Sequence, residues 1–172
     1  MFLRNLLVLF VFALAAQSLA ETPSMGPVIE DYGPAYAVAE TDVVVPDDLV
    51  LRTVFDIGAD PDPTQVNRSI VSVARYLNMH ARAGISPDNL AVAIVVHGKA
   101  THQMADTPGN PNLELIEDLK EAGVRIYLCG QSMKYYGIDK DELIAGVEVG
   151  LSAMTMLTIL QGKGYALIPW GA

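Results

Sequence analysis

The sequence predicts an α/β fold, a mostly parallel sheet of about five strands with helices on both faces. Two observations carry this. Apolar runs of strand length alternate with segments whose apolar residues recur at helical spacing. A strand–helix–strand succession of this kind closes right-handed crossovers between parallel strands. Leu49 to Ile57 reads as the first strand, and Pro63 to Arg82 as a helix, because Val66, Ile70, Val73, Leu77 and His80 fall on one face. Gly84 ends that helix. Leu90 to Val96 is a continuous apolar run rich in Val and Ile, the pattern of a strand covered on both sides.

Leu113, Ile116, Leu119 and Ala122 line the next helix, opened by Pro111 and stopped by Gly123, with Asn110 as its cap. Val124 to Leu128 follows as a strand. Gln131 to Tyr136 then makes a short helix ended by Gly137, and Asp139 to Ala145 makes another. Val147 to Val149 is a brief strand, Leu151 to Gln161 a helix broken by Gly162 and Gly164, and Tyr165 to Ile168 the last strand before Pro169 and Trp170. Ser152 to Thr158 is built of small and flexible residues and faces either another subunit or the sheet.

Three regions divide the chain. Residues 1–20 form a signal peptide: Arg4 supplies the positive start, Leu6 to Ala16 an apolar stretch too short to span a bilayer, and Ser18-Leu19-Ala20 a small-residue cleavage site before Glu21. An uncleaved anchor is the alternative, but no stop-transfer charge cluster follows. Residues 21–48 are an extended acidic arm broken by Pro23, Gly26, Pro27, Gly33, Pro34 and Pro46. Val43 to Val45 offers an edge strand there, which Pro46 argues against. Residues 49–172 are the α/β domain.

Cleavage after Ala20 leaves 152 of 172 residues, enough for one substantial core. The mature chain carries ten basic and twenty acidic residues, a formal charge of −10. This argues against nucleic acid or an anionic membrane surface as partner, since both need a dense basic patch that the sequence lacks. No second apolar run is long enough to span a membrane, so the mature protein is expected in the periplasm or secreted.

Cys129 is the single cysteine. An exported chain meets an oxidising compartment that favours paired cysteines, so a lone thiol is either a buried bystander or a group kept for chemistry. It stands where a strand ends and a helix begins, and ligands of open parallel sheets bind beyond such strand ends. Unpaired N–H groups at the helix start favour the thiolate, the nucleophilic form. Gly130 lets another molecule approach the sulfur, and Gln131 and Ser132 can donate hydrogen bonds to it. His97 ends the preceding strand and offers a general base or a group that orients an acceptor, with Lys99 biasing the field. A polar strand end facing water is the plainer reading of His97. His97, His102 and Cys129 could together ligate a metal, but their spacing matches no familiar zinc pattern.

Residues 110–132 (NPNLELIEDLKEAGVRIYLCGQS), 146–154 (GVEVGLSAM) and 164–170 (GYALIPW) resemble the DsrE/DsrF-like proteins. The likeness spans about Leu49 to Trp170 and is most specific in the carboxyl-terminal half. It implies a three-layer α/β/α sandwich and a homo-oligomer, trimer or hexamer. Sulfur-relay members of the family carry a cysteine at the end of the strand before a short helix, the place of Cys129. The resemblance therefore implies that Cys129 receives sulfur as a persulfide from one thiol and hands it to another, the partners being donor and acceptor proteins or small sulfur species. No metal or nucleotide cofactor is implied. His97, Gly130, Gln131 and Ser132 would surround the site. The alternative is a non-catalytic binding or assembly module in which Cys129 is structural.

Overall fold

Five strands form a single sheet in the order β4-β3-β2-β1-β5, every pairing parallel. The computed structural model describes residues 21–46, 48–59 and 62–169. The signal peptide expected over 1–20, and Trp170, lie outside the described residues. The elements are β1 (Leu51–Ile57), α1 (Arg68–Arg82), β2 (Leu90–Val96), α2 (Leu113–Glu121), β3 (Arg125–Cys129), α3 (Gly130–Tyr136), β4 (Glu148–Gly150), α4 (Ala153–Gly162) and β5 (Ala166–Pro169).

The period of two along each strand sorts side chains onto two faces. Phe55, Ile57, Val92, Ile94, Val96, Ile126 and Leu128 meet Ile70, Val73 and Leu77 of α1 and Leu115, Ile116 and Leu119 of α2. Each such side chain, taken from water, contributes about 1.5–3 kcal/mol, so this face dominates the core. Val54, Ala93, Val95, Tyr127 and Cys129 point the other way, toward Ala153 and Leu160 of α4. The result is three layers, with the cysteine on the thinner side.

Several expectations shift with the backbone. α1 starts at Arg68, not Pro63, because the Asn67 carboxamide accepts from Ser69 N at 2.8 Å and caps the helix there. Asn110 does not cap α2. Its carboxamide accepts from Asn112 N at 3.0 Å and donates to the carbonyls of Gln103 and Ala105, tying the preceding loop together. The helix expected over Asp139 to Ala145 is a 3-10 turn at Lys140–Glu142 with a capping box from Asp139 and Glu142. Its residues Leu143 and Ile144 are buried, and they pair with the 104–106 backbone instead. Tertiary pairing outweighs helical periodicity there. Val43 to Val45 forms no strand, and Val43 and Val44 are 76% and 82% exposed. A 3-10 segment, Gly98–Met104, follows His97 without a warning in the apolar pattern.

The first part of the arm is bound to the domain. Asn78 of α1 is fully buried. Its carboxamide oxygen accepts from Val28 N and Ile29 N at 3.0 and 2.9 Å, and its nitrogen donates to the carbonyls of Ile29, Tyr32 and Gly33 at 3.0–3.1 Å. Arg82 donates to Ser24, Met25 and Gly26. Tyr32 donates to the Glu114 carboxylate at 2.9 Å. Ile29 and Ala35 are thereby buried.

Replacing Asn78 with Ala leaves buried backbone N–H and C=O groups without partners, each costing about 1–3 kcal/mol. Asn78→Ala is expected to lower the urea midpoint and to expose residues 24–35 to limited proteolysis while far-ultraviolet circular dichroism stays native.

Candidate functional site

β3 runs into α3 with no loop between them. Cys129 is both the last strand residue and the N-cap of the helix, with φ −66° and ψ 112°. Its sulfur accepts from Ser132 N at 3.5 Å. Cys129 pairs with Gly150 across β3 and β4. The short turn through Leu151 and Ser152 then brings the start of α4 over the thiol. Ser152 caps that helix, accepting from Thr155 N at 3.1 Å, and the Ala153 N–H points to the sulfur. Two helix N-termini converge on one atom.

Burial pushes the Cys129 thiol up, since a charged sulfur loses water. The hydrogen bond from the Ser132 hydroxyl and those from the N–H groups of Ser132, Ala153 and Gln131 outweigh it, and the net direction is down. Ser132 is itself held: its oxygen accepts from Gly98 N at 3.0 Å, which leaves the hydroxyl proton for the sulfur. These donors therefore shift the balance toward the thiolate in spite of burial, Cys129 being 5% exposed.

The other residues singled out from the sequence separate into contributors and bystanders. Gly130 is demanded by the protein's own backbone: a Cβ there would sit 2.7 Å from the Gly150 carbonyl oxygen. Gln131 contributes its N–H, while its side chain is exposed and reaches the Leu151 carbonyl at 3.4 Å. His97 lies at the end of β2 with its Nε2 2.9 Å from Asp56 Oδ1, both about one-third exposed. Lys99 is exposed. His102 stands edge-on to the Tyr136 ring at 4.6 Å. His97, His102 and Cys129 thus have different partners, Asp56, Tyr136 and Ser132. Among the described residues no group of three or more His, Cys, Asp or Glu side chains could hold a metal ion. Asp56 and the Ala153 N–H were missed from the sequence. Asp56 left one signal, a carboxylate between the buried Phe55 and Ile57 near the end of an apolar strand. A backbone N–H arriving from another element left none.

The model of the DsrE/DsrF-like family matches residues 53–170. The structure of MTH1491 from Methanobacterium thermoautotrophicum, a protein of unknown function, shares the fold at a TM-score of 0.53 and 22% identity, over 69% of this chain and 98% of that one. The ychN protein from E. coli is similar at a TM-score of 0.52 and 20% identity, over 69% and 97% of the two chains. At these identities the likeness is one of fold. No curated protein matches the chain.

The folded-state thiol value is depressed, so the linked stability is fully present above the ordinary value of about 8.5. It is lost as pH falls through the lowered folded value. Thiolate absorbance of the native protein is expected to titrate below that of free cysteine. Ser132→Ala removes a donor to the charged form and is expected to move the midpoint upward; an unmoved midpoint counts against the hydroxyl.

Proposed function

The chain belongs to the DsrE/DsrF-like family, and we propose that it is exported and carries sulfur as a persulfide on Cys129. The observation that carries the reading is the placement of the sulfur at the start of α3, where it accepts from Ser132 N at 3.5 Å and where the Ser132 hydroxyl and N–H groups from α3 and α4 lower its thiol value. In the proposed step the Cys129 thiolate attacks the outer sulfur of a donor persulfide R–S–SH. The Cys129 S–S bond forms, the donor S–S bond breaks, and R–S⁻ leaves and takes a proton. No electrons are gained or lost overall. The same donors that hold the thiolate suit the terminal sulfur anion of the product. His97 is the adjacent candidate for proton exchange. Donor and acceptor are a thiol or persulfide protein or a small sulfur species.

Export is supported by the sequence of residues 1–20. No helix among the described residues is long and apolar enough to cross a membrane. A homo-oligomer, trimer or hexamer, is supported by α4, which carries no charged residue. Beside the site Leu151 is 71% and Met154 78% exposed, and neighbouring large apolar side chains left in water mark a surface that a partner covers.

A second reading rests on the 5% exposure of Cys129. There the cysteine is a small hydrophobe in the α4 layer, and the protein is a binding or assembly module.

Intact-mass measurement after exposure to polysulfide separates the readings. The mature protein, beginning at Glu21, is expected to gain sulfur that a reducing thiol removes, and Cys129→Ser is expected to gain none. A native protein that stays unmodified while its unfolded form reacts supports the module. Light scattering is expected to give a multimer that Met154→Glu dissociates.

A further inference from the structure

Three neighbouring strands end in a row of chemistry-bearing residues. Val96 pairs with Ile57 on one side and Leu128 on the other, so His97 lies between Gly58 and Cys129. His97 N donates to the Ile57 carbonyl at 2.9 Å, and its backbone stays extended, with φ −153° and ψ −175°. Its Cβ therefore emerges on the same face as Cys129, one strand spacing away, about 4.8 Å. Asp56 occupies that face of β1, opposite Val95.

The imidazole is turned across Gly58. A Cβ at that position would lie 2.5 Å from Cε1 of the ring, 2.8 Å from Nε2 and 3.1 Å from Nδ1, so the ring leans over Gly58 and in this pose only glycine leaves room for it. In this pose Nε2 reaches Asp56 Oδ1 at 2.9 Å. An ionised carboxylate can only accept, which places the ring proton on Nε2 and leaves the Nδ1 lone pair to exchange protons.

We propose that Asp56 is a positioning residue that fixes His97 as the Nε2–H tautomer for proton transfer at Cys129, with Gly58 as the floor on which the ring lies. The proposal rests on the persulfide reading of Cys129. The proton that Cys129 gives up on ionising is held on His97 Nδ1, the thiolate attacks the outer sulfur of R–S–SH, and the imidazolium passes that proton to the departing R–S⁻. The products are Cys129–S–SH and R–SH, with atoms and charge balanced. Cys129, His97 and Asp56 then form a relay across β3, β2 and β1, in which the carboxylate orients a histidine that serves a sulfur nucleophile.

The test combines nitrogen-15 spectra of the His97 ring with the rate at which glutathione persulfide loads Cys129 in the full mature chain. The neutral wild-type ring is expected as the Nε2–H tautomer. Asp56→Asn, whose amide can donate to Nε2, is expected to shift it toward Nδ1–H. Loading is expected to fall about 10²-fold in His97→Gln and about 10-fold in Asp56→Asn, with Asp56→Glu recovering part of the loss. An unchanged tautomer in Asp56→Asn overturns the proposal, as does a changed tautomer with an unchanged loading rate. If wild-type Cys129 takes up no sulfur, the persulfide reading fails by itself, and alkylation of Cys129 by iodoacetamide becomes the readout. Slower alkylation in both Asp56→Asn and His97→Gln still supports the relay, and equal rates overturn it.

Discussion

Because the strands of this sheet all run one way, their carboxyl ends lie along one edge, and everything of chemical interest depends on that alignment. Asp56, His97, Cys129 and Gly150 come from four strands separated by up to 94 positions in the chain. Register brings them together. A slip of one residue in β3 would turn Cys129 into the thick α1 and α2 layer and put Leu128 beneath α4. The apolar residues on both faces resist such a slip, so the core that stabilises the fold also aims the thiol.

At the sulfur, two opposing effects of burial meet. A dry site penalises a charged thiolate, and the same low dielectric strengthens each hydrogen bond made to it. The N–H groups from α3 and α4 and the Ser132 hydroxyl together reverse the penalty. None of these groups needs to move to do so, since the helix starts are set by the strand ends and Ser132 is braced by Gly98 N. This economy depends on tight backbone contact. Gly130 lies against the Gly150 carbonyl, and any side chain there would separate the two helix starts whose convergence makes the site.

The two faces of the sheet carry different duties. The α1 and α2 side holds most of the large buried side chains and, through Asn78 and Arg82, clasps residues 24–35. The α4 side is thin and its helix is uncharged, with Leu151 and Met154 exposed at the end nearest Cys129. Stability is thus concentrated away from the site, and the layer over the thiol leaves Leu151, Met154 and Ile159 on its outer surface. The proposed assembly would cover that surface and change what can approach Cys129.

Periodicity alone was enough to read the type of the five strands and of the helices α1, α2, α3 and α4 and their succession along the chain, though not the order of the strands in the sheet. Those signals come from residues that must face a core wherever the chain goes. Cys129 at a strand end was legible for the same reason, as was Ser132 one helical turn ahead of it. The helix expected over 139–145 failed because Leu143 and Ile144 find their burial by pairing with the 104–106 backbone, a contact with no local signature. Asn78 looked like one more polar residue on a helix, yet it binds an arm some fifty residues away. Likewise the Asp56–His97 pair, the floor at Gly58 and the Ala153 N–H over the sulfur exist only once strand register is set. Local pattern determines which residues must be buried; only the tertiary structure decides which polar groups then meet, because hydrogen bonds and ion pairs are short-ranged and directional while the hydrophobic drive is neither.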